Sequence, residues 1–254
     1  MVDFSGLNDI LRPVIAQAGA ALAAMAAVPV QAPSSRPRVA ATMFGQTTPC
    51  VDACRKRLSR EGYDLYPFHA NGMGGPNMEA LIDQGFFDAV LDITTTELLQ
   101  EMVVPGTGSG SRVEAAGRRG IPQIVVPGAL DSINVLAAHS EDFPQRRFCR
   151  HNAEVLLMRA LPREEREIAK QLAEKLNRAK GKTVVVLPMG GFSRLSDTLP
   201  DPLADQALRE TLRQELDPSV RLVESARKIN DPAFAGELCD LLAELLPPEQ
   251  AERK

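Results

Sequence analysis

The chain has 254 residues, 44% of them hydrophobic, enough for one large or two small domains with a sizeable core. A formal charge of −4, an isoelectric point near 5.5 and only 4% aromatic residues with no tryptophan argue against nucleic-acid binding, which needs a basic stripe and stacking surfaces. Four cysteines (Cys50, Cys54, Cys149, Cys239) without a CxxC pair, and three histidines without HExxH spacing, exclude a disulfide framework and a zincin site.

Taken from its start, the chain opens on an Ala-rich stretch, residues 13–30, that has the length of a signal-peptide core. Asp3 and Asp9 outweigh Arg12 before it, and Gln17 interrupts it, so a soluble helix over about 6–27 is expected, with no membrane span. "QAPSSRPR", residues 31–38, reads as a linker. The expected division is therefore a connecting helix and linker, 1–37, and an α/β domain, 38–254, in a cytoplasmic protein.

From residue 38 onward one pattern repeats. Apolar β-type runs fall at 39–44, 63–68, 89–93, 123–126, 183–187 and 220–223, with helical patterns between most of them. Buried strands alternating with helices predict a Rossmann-like, doubly wound and mostly parallel sheet of about six strands with helices on both faces. A further apolar run at 154–159 is expected as an extra edge strand.

The junctions after these strands carry the chemistry. "GQTTPC" offers Thr47 and Thr48; "HANGMGG" offers His69, Gly72, Gly74 and Gly75; "TTTE" offers Thr94, Thr95, Thr96 and Glu97 in a capping-box pattern. "GTGSGSR" adds Gly108, Ser109 and Arg112; "PGALD" adds Gly128 and Asp131; "MGGFS" adds Ser193. In a doubly wound sheet such junctions share one edge, where ligands bind at the topological switch point. Glycine turns leading into helix N-termini suit anions, and Arg112 would neutralise one. No GxxxxGK[ST], GxGxxG or GxSxG is present. The alternative for the glycines is a turn needing positive φ, for the threonines capping, and for His69 a loop-bridging role. Asp92 and Asp131 could hold magnesium beside a polyphosphate or act as caps. Cys50 and Cys54 with a histidine could make a zinc site, but buried hydrophobic packing is the simpler reading, so no metal site is assigned.

"TMFGQTTPCV", "FHANGMGG", "LDITTTE", "RVEAAGRRGIPQIVVPGALD", "HNAEVLLMR" and "INDPAFA" together resemble the family that includes the ATP-binding domain of the tomato mosaic virus resistance protein and many bacterial proteins of unassigned function. The resemblance covers nearly the whole chain and matches the second of two Rossmann-like halves; residues 2–26 resemble the connecting helix. It implies ATP with magnesium as a candidate ligand, and either a partner N-terminal half or a homo-oligomer. Asn71 departs from the family pattern, which has a small residue, Thr and Gly at "ANG".

Three functions stay open at this point. The first is a ligand-binding domain with a crevice for a phosphate or carboxylate ligand. The second is an enzyme on a small anionic metabolite, with His69 as acid or base assisted by Glu97 or Asp131. The third is an interaction module with a vestigial site.

Overall fold

The computed structural model describes residues 6–29 and 34–247, so the expected linker at 31–38 falls partly outside the described residues. The chain divides into two units, Met1–Ser35 and Arg36–Lys254. The first holds one helix, α1 (Leu11–Ala26), whose start is tied by the Asn8 side chain accepting from the amides of Ile10 and Leu11 at 3.0 Å. Among the described residues no helix is long and apolar enough to cross a membrane.

The second unit alternates as its sequence predicts. Its elements are β1 (Arg38–Met43), α2 (Thr48–Arg60), β2 (Asp64–His69), α3 (Gly74–Asp83), β3 (Ala89–Thr94), α4 (Thr96–Val103), α5 (Ala115–Arg119) and β4 (Gln123–Gly128). Then follow β5 (Ser132–Leu136), β6 (Phe148–Arg150), β7 (Val155–Arg159), α6 (Pro162–Leu176), β8 (Thr183–Pro188), α7 (Leu195–Thr198), α8 (Pro202–Glu215), β9 (Arg221–Ser225) and α9 (Pro232–Leu245). Six strands form one parallel sheet in the order β2-β1-β3-β4-β8-β9. The chain runs outward from β1 to β2, then returns to place β3 on the other side of β1. That reversal makes β1 and β3 the switch point.

Central strands are buried on both faces, which is why "AVLDIT", "QIVVPG" and "TVVVLP" read as continuous apolar runs. Side chains alternate between two cores. Ile124 and Val126 pack with α2 and α9, whereas Val125 packs with α6 and α8. Under β1 and β3, on the second face, α3 and α5 pack through Met78, Ile82, Ala115 and Ala116. Pro67 is tolerated because β2 is an edge strand.

The run expected as an extra edge strand is instead the middle of a second sheet. β7 pairs antiparallel with both β5 and β6, in the order β5-β7-β6. Only Ala129 to Asp131 separate β4 from β5, and Ala129 turns the chain with φ of 52°. Three residues are far too few for a parallel crossover, so the chain leaves the main sheet. Asp231 caps the last helix: its side chain accepts from the Ala233 amide at 2.9 Å and opens α9. Asn152 fixes its own loop by accepting from the amides of Glu154 and Val155, both at 2.8 Å.

Candidate ligand cavity at the switch point

An aspartate in the middle of a fully buried strand needs partners. Asp92 on β3 has them: Thr42 Oγ1 donates from β1 at 2.5 Å, and Arg112 Nη1 and Nη2 donate at 2.8 and 3.0 Å. Arg112 is itself completely buried. Its Nε donates to Glu97 at 2.7 Å, its Nη2 to the Thr94 carbonyl at 3.2 Å, and Glu79 stands 3.6 Å away. Burial alone would lower the Arg112 pKa, but Asp92, Glu97 and Glu79 outweigh it and raise the value. Desolvation pushes the Glu79 carboxyl up, only partly countered by Arg112.

These carboxylates occupy the positions that the sequence offered to an anion. Glu97 Oε1 accepts from the amides of Gly72 at 2.6 Å and Gly75 at 3.4 Å, filling the turn before α3. Glu79 accepts from the amides of Val113, Glu114 and Ala115 at 2.7, 3.2 and 2.6 Å, filling the start of α5. Glu101 accepts from the amides of Gly106 and Gly108, filling the glycine turn that follows α4. Arg112, expected to neutralise a bound anion, faces these internal carboxylates instead. The capping box expected of "TTTE" does not form for the same reason: Glu97 reaches across to α3 and Arg112, and Thr95 makes no cap bond.

In front of Glu97 lies a cavity of about 310 Å³. One wall comes from the strand ends and the turns behind them, with Phe44, Ala70, Asn71 and Gly72. Thr96, Glu97 and Gln100 of α4 form the floor, and Asn134, Val135, Leu136 and Val155 of the antiparallel sheet form the other wall. Gln100 fastens that wall by donating to the Asn134 carbonyl at 3.0 Å and accepting from the Asn134 amide at 2.8 Å. His69 is exposed and stacks on Phe44, with ring centroids 5.8 Å apart.

The structure thus gathers much of the predicted set into one network. Thr47 and Thr94 share a hydroxyl hydrogen bond of 2.7 Å, Thr48 donates to the Phe44 carbonyl, and Thr96 donates to the Ser132 carbonyl. The Ser109 amide donates to the Glu97 carbonyl, Gly108 packs against that same carbonyl, and Thr95 donates weakly to Val126. Gly74 lies against the His69 carbonyl and Gly128 against the Ile93 carbonyl, so both glycines serve close backbone approach. Glu79, Gln100 and Asn134 were missed, because nothing in a helix or strand pattern marks a polar residue that turns inward.

Asp131 and Ser193 belong to a different cluster beyond β4. Asp131 Oδ2 accepts from Ser193 and Ser196 at 2.9 and 2.8 Å, and buried Arg159 reaches Asp131, Glu165 and Asp205. Burial raises the Glu165 carboxyl well above its ordinary value, despite Arg159. Its stabilising contribution is therefore present at low pH and lost as pH rises from about 4.5 through its folded value. Glu165→Gln, which mimics the protonated form, should match or exceed the parent in stability at pH 8. At pH 5 it should show no advantage, by urea denaturation at the two pH values.

Asp92 and Asp131, considered as magnesium ligands, each face a buried arginine. Among the described residues no group of three or more histidine, cysteine or acidic side chains could hold a metal. Cys50, Cys54 and Cys239 are free, buried thiols in the core shared by α2 and α9.

The family profile described as the C-terminal domain of uncharacterised protein family UPF0261 matches residues 36–246. A UPF0261 protein of Clostridium tetani is 40% identical over 245 residues, covering 92% of this chain and 60% of that protein. A UPF0261 protein of Rhizobium meliloti is 38% identical, covering 92% and 61%. The tomato (Solanum lycopersicum) ToMV resistance protein Tm-1 is 37% identical over 262 residues, covering 97% of this chain and 35% of that protein. The chain thus spans about three fifths of these bacterial relatives and about a third of the plant protein.

Proposed function

The chain belongs to the uncharacterised protein family UPF0261, as its C-terminal domain, and from that premise we propose that it is a small-molecule-binding α/β domain. Its site is the cavity between the β1–β3 switch point and the antiparallel sheet. The observation that carries this reading is a coincidence of place. The cavity of about 310 Å³ opens where a doubly wound sheet binds ligands, and its walls come from two separate sheets. The volume lies at the small end of the range for ligand sites, so it suits a compact molecule or one moiety of a larger one. ATP with magnesium, which the family resemblance implies, enters this reading as a ligand whose ring system would be the part inside. No observation favours His69 as a catalytic acid or base over its role as a stacking partner of Phe44.

Calorimetric titration with ATP–Mg²⁺, ADP and small dicarboxylates, on the parent and on Asn134→Leu, tests the site. Saturable binding that weakens at least tenfold in Asn134→Leu, with the melting temperature held within about 2 °C, is the expected result. Binding indifferent to that substitution would move the site elsewhere. Assembly as a homo-oligomer or with an N-terminal half is part of the same proposal; light scattering across a dilution series, with and without the part of a bacterial relative that lies outside the match, reads it out.

A further inference from the structure

Resting on the cavity being the ligand site, we infer that the group it takes is an uncharged heteroaromatic ring carrying both hydrogen-bond donors and acceptors, of the nucleobase kind. A phosphate or carboxylate is thereby kept out of it.

Three observations converge on this. Among the described residues no lysine or arginine lines the cavity, and the one charged lining residue is Glu97. Behind that wall, Asp92, Glu79 and Glu97 face a single guanidinium, so with every group ionised two negative charges are uncompensated. An anion entering the cavity meets that excess at short range in a low-dielectric surround, where it is poorly screened.

The second observation concerns the backbone. Amides at helix N-termini and glycine turns are the usual anion holders in folds of this type. Here the Gly72 and Gly75 amides hold Glu97, and those of Val113, Glu114 and Ala115 hold Glu79. A phosphate would have to displace a carboxylate that buried Arg112 also holds, leaving that carboxylate buried without donors.

The third concerns what the cavity leaves available. Gln100 is engaged by the Asn134 backbone and Thr107, and Thr96 by Ser132. Among the described residues the side-chain amide of Asn134 makes no hydrogen bond, and Asn71 only accepts weakly, at 3.4 Å from the Met73 amide. The lining thus includes two carboxamides, each with a donor and an acceptor. Phe44, backed by His69, adds a flat apolar surface. Neutral polar groups set between apolar walls match an uncharged ring with hydrogen-bonding edges.

The test is a calorimetric titration of the whole chain with adenosine, cytidine and nicotinamide, beside AMP, inorganic phosphate and malonate. Each is run on the parent and on Asn134→Leu, at low and high salt. The expected result is saturable binding of at least one uncharged probe, changed less than threefold by salt and weakened at least tenfold by Asn134→Leu. Phosphate and malonate give no heat, and AMP binds no tighter than adenosine. An anion that binds at least tenfold more tightly than every uncharged probe, and is lost in Asn134→Leu, overturns the inference and leaves the site assignment intact. Binding of any probe unaffected by Asn134→Leu overturns the site itself. Heat from none of the probes overturns both.

Discussion

Replacing Arg112 with leucine should lower folding stability by about 3–5 kcal/mol, because it leaves Asp92, Glu97 and Glu79 buried without their counter-charge. Chemical denaturation at pH 7 measures this directly. The sign of the pH dependence follows from the same geometry. Without the guanidinium, burial raises the folded-state pKa values of these carboxyls, so the variant binds more protons folded than unfolded, and its stability falls as pH rises. The difference from the parent should therefore be larger at pH 8 than at pH 5. Arg112→Lys should recover only part of the loss. One ammonium supplies the charge but cannot reproduce the fork that meets Asp92 with two nitrogens and Glu97 with the third. A loss of under 1 kcal/mol in Arg112→Leu would mean that the carboxylates find water, and that the cluster is not closed.

The second large effect is expected at Gly75. A methyl group there would lie 1.9 Å from Glu97 Oε2 and 2.1 Å from Arg112 Nε. Both atoms are the ends of long side chains, which ordinarily give way at small cost, but here the two hold each other, with Arg112 also held by Asp92 and Glu97 also accepting from the Gly72 amide. Gly75→Ala should then cost roughly 1–3 kcal/mol from overpacking. It should also push Glu97 towards the cavity and perturb any binding there. Gly45→Ala is the control. Its added carbon meets nothing within 4 Å, so stability should stay within about 0.5 kcal/mol of the parent. Equal losses at both positions would show that the close approach of Glu97 and Arg112 to Gly75 does not set the cost.

The contrast between these glycines bears on what a sequence discloses. The parallel sheet was legible because its signal is local: a strand buried on both faces must be an apolar run, and β3, β4 and β8 are such runs. The second sheet was not, since β5 and β6 are short and mixed in burial, and pairing of β5 with β7 joins residues from Leu136 and Val155 out to Ser132 and Arg159, far apart along the chain. At the switch point the junction residues lie at one edge of the sheet, and their glycine amides meet carboxylates of the chain itself. Spacing shows that glycine amides are available to an anion; it does not show that Glu97, some twenty-five positions on from Gly72, or Glu79, more than thirty positions before Val113, supplies one. Arg112 looked like a ligand contact for the same reason. A cation among glycines reads identically whether its partner is a substrate or three side chains from distant parts of the chain.

The two-sheet construction of the cavity separates two kinds of change. One wall rides on the parallel ladder that holds the cores together; the other is a three-stranded flap stitched to α4 mainly through Gln100 and Thr96. Substitutions at the flap's inward positions, Asn134, Leu136 and Val155, can reshape the chamber without disturbing a single hydrogen bond of the six-stranded sheet. Under the proposed function, such changes would alter the accepted molecule while keeping one scaffold, and a flap transplanted between relatives should carry its preference with it.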